Sequence, residues 1–241
     1  MNRIIFTLGV WLFPAACTAL GAAGVFLLRR QTRPATRRIL CGMAAGIMLA
    51  ASVWSLLLPA IARSQGRAAW VPPALGLILG AVGLLRLEDA AGQLLAGGPG
   101  HCGRMVLAVT LHNLPEGFVI GAAVGAHAWE RAGLIALHNV PGGMAMAFPL
   151  LQGGFARGKV LLLSVVCGLP LVVGSVLGTL AGAMPEGLLS LCLSLAAGSM
   201  VFAAGFELSQ PETKKGKLCL LWLLLGLALA FALSVGHAHA H

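Results

Sequence analysis

The chain has 241 residues, of which 59% are hydrophobic and only 10% are charged. A soluble domain carries about 25% charged residues, so this composition excludes an ordinary water-soluble fold and indicates several membrane spans of about 20 residues each. The formal net charge of +9 would suggest nucleic-acid binding in a soluble protein. In a membrane protein, basic residues concentrated on one side of the membrane explain this net charge better. We therefore predict that the chain lies in a lipid bilayer and has no nucleic-acid partner.

The first apolar segment starts near the N-terminus and continues to Leu28, where a basic cluster follows. It is longer than the apolar core of a signal peptide, so we predict a first span rather than a cleaved leader. Seven further apolar segments follow, separated by short polar loops. The eight segments cover approximately residues 4–28, 39–62, 70–87, 105–128, 132–152, 160–182, 187–208 and 218–236.

The basic residues are distributed unequally between the two sets of loops. The loops after segments 1, 3, 5 and 7 hold 12 of the 16, and the remaining 4 are Arg3, Arg63, Arg67 and Arg131. Basic loops remain in the cytoplasm, so both termini are predicted to be extracytoplasmic. The sequence thus predicts an all-α integral membrane bundle of eight helices, with residues 1–241 forming a single domain.

Two neighbouring segments carry the same polar insert at membrane depth. The fourth contains H-N-L-P-E-G at residues 112–117, and the fifth contains H-N-V-P-G-G at residues 138–143. Polar side chains in hydrocarbon are costly unless they pair or bind something. His112, Asn113 and Glu116 are three or four residues apart, so a helix projects them toward one face. A site shared between the two segments is therefore predicted.

The residue types in this insert suit a divalent metal ion. Imidazole nitrogen and carboxylate oxygen both bind Zn²⁺, and also Fe²⁺ or Mn²⁺. Pro115 removes the amide hydrogen that would bond the carbonyl of Leu111, so we expect a kink there. If the hairpin turns near Trp129, Glu116 and His138 differ by about 6 Å in depth, a gap that helix rotation and proline kinks can close.

Glu116 is the only one of the seven acidic residues that the predicted segments place deep in the membrane. The alternative for either histidine alone is ordinary packing, with a hydrogen bond across two helices. A repeated motif around a deep carboxylate with no cation beside it favours metal binding.

The motif H-N-x-P-E-G in the fourth span, followed by H-N-x-P in the fifth, resembles the ZIP family of divalent-metal transporters. Residues 44–59 are similar to the family's second span, and residues 196–208 to its seventh. The resemblance implies a transporter, not an enzyme, that moves Zn²⁺ toward the cytoplasm, with Fe²⁺, Mn²⁺ and Cd²⁺ as other candidate ions. It also implies extracytoplasmic termini and a metal site between spans four and five.

Carried over by position, the resemblance assigns ligands to spans two, four and five. These metal-binding residues are His112, Asn113, Glu116, His138, Asn139 and Met48. Ser55 corresponds to a polar residue of the transport pathway. For Met48 and Ser55 the alternative is plain core packing.

The chain departs from the family pattern at its carboxylates. The family usually has a second carboxylate in span five, where this chain has Gly142, and another in span six, where residues 167–170 read C-G-L-P. Two closely spaced dications need bridging carboxylates to offset their repulsion. We therefore predict a single metal ion, held by His112, Glu116 and His138 with help from an Asn or a water molecule.

Two peripheral features are weaker candidates for metal handling. Glu207 resembles a family carboxylate near the inner exit, but Phe206 replaces the histidine that usually precedes it. The alternating histidines of residues 237–241 either collect metal weakly or form a plain polar tail.

The missing carboxylates make a transport-deficient sensor or regulator the main alternative function. An intramembrane metalloprotease would need H-E-x-x-H, which the chain lacks. A haem carrier using His112 and His138 would need room for a porphyrin between the two helices. A tight hairpin joins these helices, which argues against that function. Short loops favour a multi-pass protein of the bacterial inner membrane, and a homodimer is left open.

Overall fold

The computed structural model describes residues 3–27, 34–94, 101–123, 126–181, 184–209 and 217–238. These ranges contain helices and connecting turns but no strand, which confirms the all-α prediction for the described part of the chain. In chain order the elements are α1 (Arg3–Gly24), a 3₁₀ turn (Val25–Leu27), α2 (Pro34–Ala51), a π-helical segment (Ser52–Leu57), α3 (Leu58–Arg63), α4 (Val71–Leu94), α5 (His101–Gly121), α6 (Ala126–Gln152), α7 (Arg157–Ala181), α8 (Glu186–Ser209) and α9 (Lys217–Ala238).

Each predicted apolar segment overlaps helical structure. Helix α2, the π-helical segment and α3 follow one another without a break, so together they match the second predicted segment. Within the described ranges, five stretches are long and apolar enough to cross a membrane: Ile4–Leu27, Arg38–Arg63, Ala128–Gln152, Arg157–Ala181 and Glu186–Phe206. Val71–Leu87 and Cys219–Phe231 are shorter apolar helices.

The turn between α5 and α6 lies earlier in the chain than predicted. Helix α5 ends at Gly121 and α6 begins at Ala126, so the predicted extension of segment four to residue 128 and the turn near Trp129 are wrong. Trp129 instead lies near the start of α6, where its ring packs edge-on against Phe6. Residues 118–126 are apolar or small throughout, so hydropathy offers no boundary there.

Helix α4 also differs from its prediction, because it continues to Leu94 rather than ending near residue 87. Glu88 and Asp89 therefore belong to a helix instead of a loop. A helix can run past its apolar stretch when its last turns leave the hydrocarbon, so hydropathy marks the buried length rather than the helical length.

Glycines let several helices of the bundle come into backbone contact. The four most extensive pairings are α1 with α6, α2 with α9, α4 with α8 and α5 with α7. Between α5 and α7 the contact is reciprocal, because Gly117 lies against the backbone of Leu171 and Gly174 against that of Leu114. Small residues let membrane helices approach this closely. The other pairs use Gly21 and Gly143 (α1–α6), Gly42 and Gly46 (α2–α9), and Gly76 and Gly80 (α4–α8).

The bundle is apolar outside and holds polar side chains inside. Large apolar residues such as Leu162, Val173 and Leu180 on α7 are exposed, as expected for a surface that faces lipid. By contrast, the polar inserts of α5 and α6 are buried. This arrangement places the candidate site in the interior of the bundle.

Candidate metal site

The centre of the site is a contact between α5 and α6. Nε2 of His138 lies 2.7 Å from Oε1 of Glu116, and the exposed fractions of the two residues are only 1% and 0%. The corrected turn puts Glu116 much closer along the chain to the hairpin end than His138. Helix α5 packs mainly on α7 and α6 mainly on α1, so these separate pairings, rather than hairpin register, bring the two side chains together.

The third predicted ligand approaches the same carboxylate oxygen. Nε2 of His112 lies 3.9 Å from Oε1 of Glu116, one helical turn away on α5. Two imidazoles and one carboxylate thus converge from two helices. This nitrogen and oxygen set is suited to Zn²⁺ and to other first-row divalent ions.

The other ring nitrogen of His138 has a partner of its own. Its Nδ1 lies 3.3 Å from the carbonyl oxygen of Leu134. Histidines that bind metals usually donate their second N–H to such an acceptor, which fixes the ring and raises the basicity of the free nitrogen. With the proton on Nδ1, Nε2 would be the nitrogen available to a metal ion.

Among the described side chains of the site, two buried polar atoms lack a hydrogen-bond partner, Oε2 of Glu116 and Oδ1 of Asn113. Oε2 is buried and accepts no hydrogen bond from the residues that the structure describes. An unsatisfied buried polar atom costs about 1–3 kcal/mol, and more when it carries charge. A bound cation would remove that penalty, so this atom favours a metal ligand over a merely structural carboxylate.

The two predicted asparagine ligands are committed to helix packing through their amide nitrogens. Asn113 donates Nδ2–H to the carbonyl of Cys167 on α7 at 2.6 Å. Asn139 donates Nδ2–H to the carbonyl of Pro14 on α1 at 3.1 Å. Each amide therefore joins its helix to the partner helix, and a ligand role for either side chain stays a prediction.

Met48 and Ser55 lie on the second span, at different kinds of position. Met48 is buried in an apolar cluster with Leu56 and Met200, which is what core packing alone would give, so its ligand role stays a prediction. Ser55 belongs to the π-helical segment and borders a cavity of about 10 Å³. That volume holds roughly one water molecule.

Glu116 and His138 need to separate slightly, and His112 needs to approach, before the three side chains can share an ion. Among the described residues, no three His, Cys, Asp or Glu side chains are placed so as to hold a metal. Two ligands at about 2.1 Å from a tetrahedral ion are about 3.4 Å apart, whereas the Glu116–His138 hydrogen bond measures 2.7 Å. Metal entry would therefore replace this hydrogen bond and widen the site by less than an ångström.

Sequence reasoning missed two features beside the site. The π-helical segment has no sequence signal that we can identify. Arg131 was predicted to lie in a loop, but it is part of α6 and donates Nη1–H to the carbonyl of Val119 at 3.4 Å. Its spacing of seven residues from His138, which is two helical turns, could have revealed it.

The two peripheral candidates fall largely outside the described structure. Glu207 belongs to α8, but its side chain lies outside the described part. Helix α9 ends at Ala238, and residues 239–241 of the histidine tail are likewise outside the described ranges.

Comparison with known proteins adds evidence from the whole sequence. The family described as "ZIP Zinc transporter" matches residues 104–234, a stretch that includes both polar inserts. Zinc transporter GufA of Myxococcus xanthus is 29% identical over 223 residues, covering 85% of this chain and 87% of the relative. Zinc transporter ZIP11 of Xenopus tropicalis is 27% identical, and the aligned region covers 94% of each chain. A putative zinc transporter of Arabidopsis thaliana is 29% identical over 211 residues, and the chain spans only 32% of its length.

Proposed function

The chain belongs to the ZIP zinc transporter family, and on this premise we propose that it carries divalent metal ions, chiefly Zn²⁺, across a membrane toward the cytoplasm. Fe²⁺, Mn²⁺ and Cd²⁺ are the other ions that we propose as cargo. The relatives named as zinc transporters support zinc as the principal ion.

One observation carries the proposal of a transport site between α5 and α6. A buried carboxylate, Glu116, has His138 at 2.7 Å and His112 at 3.9 Å from the same oxygen. A single carboxylate can offset only part of the charge of one dication, and a second ion nearby would be repelled strongly at low dielectric. We therefore propose one metal ion per chain, bound by these three residues, with any fourth ligand supplied by water, Asn113 or Asn139.

The proposed topology is a multi-pass bundle of eight spans with both termini outside the cytoplasm. It is supported by the 12 basic residues in the odd-numbered loops, against 4 on the other side. The bacterial relative GufA and the short loops support a bacterial inner membrane as the location.

The site geometry supports reversible binding rather than storage. In a metal-free site the Glu116–His138 hydrogen bond holds both side chains near their ligand positions, and the Leu134 carbonyl orients the imidazole. An arriving ion would displace to water the proton that Nε2 and Oε1 share and would bind both atoms, and departure of the ion would let a proton from water restore the hydrogen bond. A closed set of four protein ligands would instead retain its metal.

A second candidate function is a metal sensor that binds without transporting. It is favoured by Gly142, which stands where the family usually has a carboxylate, and by the absence of a ready three-ligand group among the described side chains. Binding without flux is what separates this candidate from a transporter.

Zinc influx into proteoliposomes that contain the purified protein tests the proposal. We expect Glu116→Ala to lower influx by about 100-fold or more, because losing a ligand should cost at least as much as losing a residue that supports one. Asp89→Ala, which removes an exposed carboxylate on α4, is the matched control and should transport normally. Both variants should elute as monodisperse protein.

Two outcomes would contradict the proposal in different ways. Normal influx in Glu116→Ala would exclude the proposed site. Zinc binding by the wild-type protein without influx of Zn²⁺, Fe²⁺ or Mn²⁺ would exclude transport and favour the sensor.

A further inference from the structure

The small cavity beside Ser55 lies one helical turn from the metal site. Val119, which lines it, follows Glu116 by three residues on α5. Leu134, also in its wall, precedes His138 by four residues and supplies the carbonyl that contacts the His138 ring. The cavity therefore occupies the space between the site and the end of the bundle where α5 turns into α6.

One charged residue contributes to the wall of this cavity. Arg131 lines it together with Ser55 and apolar side chains such as Ile135 and Met200. Its Nη1–H donates to the carbonyl of Val119 at 3.4 Å, and a carbonyl does not neutralise its charge. Two charged side chains are close enough to act on Arg131 electrostatically: Arg63, which repels it, and Glu130, which attracts it.

We propose that Arg131 is an electrostatic gate that controls the entry of cations from the α5–α6 end of the bundle. While it donates to Val119, its positive charge stands between that end and the Glu116–His138 pair. Fixed arginines exclude cations from narrow pathways in this way, since like charges repel strongly where water is scarce. An ion would pass only when the guanidinium swings away from the cavity. The direction of entry rests on the proposed transport function.

The ordinary alternative is that Arg131 only anchors α6 at the membrane surface, with its stem on apolar residues and its head in water. The two roles differ in what they require of the side chain. An anchor requires a long polar residue, whereas a gate requires the positive charge next to Ser55.

Chemical modification at position 55 tests, independently of transport, whether Arg131 makes the cavity positively charged. Ser55→Cys places a thiol at the cavity, and the parent protein gives the background from the native cysteines. We expect Arg131→Gln to shift the ratio of modification rates by cationic and anionic methanethiosulfonate reagents about tenfold toward the cationic one. Arg131→Lys should restore the wild-type ratio. An unchanged ratio in Arg131→Gln would overturn the gate.

Zinc influx at subsaturating concentration gives the functional measurement. Arg131→Gln should raise the initial rate several-fold, and Arg131→Lys should leave it near the wild-type rate. Slower influx in a folded Arg131→Gln protein would overturn the gate and favour the anchor. If the wild-type protein moves no metal, the proposed transport function fails, while the thiol ratio still decides whether Arg131 sets the charge of the cavity.

Discussion

The two H-N-x-P inserts occupy equivalent places in two different helix pairs. The insert of α5 packs on α7, and that of α6 packs on α1. The second residue of each, Asn113 or Asn139, donates its amide to a carbonyl of the partner helix. The sixth residue of each, Gly117 or Gly143, lies against the partner's backbone. The second and sixth residues of each insert therefore hold its helix against the partner helix in the same way in both pairs.

The inserts differ at their fifth position. In α5 it is Glu116, fully buried and 2.7 Å from His138. In α6 it is Gly142, and a Cβ built there would meet no atom within 4 Å. The comparison separates two roles within one motif: the asparagine and the second glycine build the helix pair, and the fifth residue supplies the charge. The same scaffold thus occurs once with a carboxylate and once without.

The largest change should come from restoring the carboxylate at the fifth position of α6. We expect Gly142→Glu to bind two Zn²⁺ ions where the wild-type chain binds one, because a second carboxylate offsets the repulsion between two dications. Titration calorimetry, checked by metal analysis of the purified protein, measures the stoichiometry. Gly142→Gln, which adds similar bulk without charge, should still bind one ion. The same stoichiometry in wild type and Gly142→Glu would count against the single-ion site.

A smaller effect should distinguish the two adjacent glycines of α6. A methyl group at Gly143 would collide with the backbone of Thr18, whereas one at Gly142 meets open space. We expect Gly143→Ala to destabilise the protein by about 1–3 kcal/mol, the usual cost of overpacking. Gly142→Ala should be neutral or stabilising by up to about 1 kcal/mol. Thermal unfolding in detergent gives the two Tm values, and equal Tm values would disprove the asymmetry.

The smallest effects should come from the paired asparagines. Asn113→Ala and Asn139→Ala should each lower stability by about 1 kcal/mol, because each removes one interhelical hydrogen bond. Zinc affinity should change little if the amides only dock helices. An affinity loss of about 10–100-fold, the cost of disturbing a metal site, would instead identify the altered asparagine as a ligand. Calorimetry on both variants, with Tm values for comparison, separates the two roles.

Much of this architecture is predictable from the sequence because hydrophobicity determines which segments lie in the membrane, and segments in the membrane form helices. Apolar runs locate the helices, since backbone groups in lipid must bond internally. The structure places Glu116 and His138 in contact, although the reasoning about hairpin depth used a wrong turn. Residues 118–126 offer no polar boundary, so that turn was hidden from hydropathy.

Three of the features that the sequence did not reveal depend on which helices become neighbours. The direction of the Asn113 amide depends on α7 and that of the Asn139 amide on α1. Arg131 looks like a loop residue until α5 brings the Val119 carbonyl to it. Periodicity places a side chain on a face of its own helix, but it does not identify the helix opposite.

The π-helical segment of the second span has a consequence for how the family varies. Its hydrogen bonds reach back five residues, as the bond from the Leu58 amide to the Val53 carbonyl shows, so the segment contains one residue more than α-helical register requires. Such a turn is an insertion absorbed without breaking the helix. A homologue that lacks it would show a one-residue gap near residues 52–57 and would turn the counterpart of Ser55 by about 100° relative to the rest of the helix. The lining of the cavity could therefore change through a single codon deletion, with the ligands on α5 and α6 left untouched.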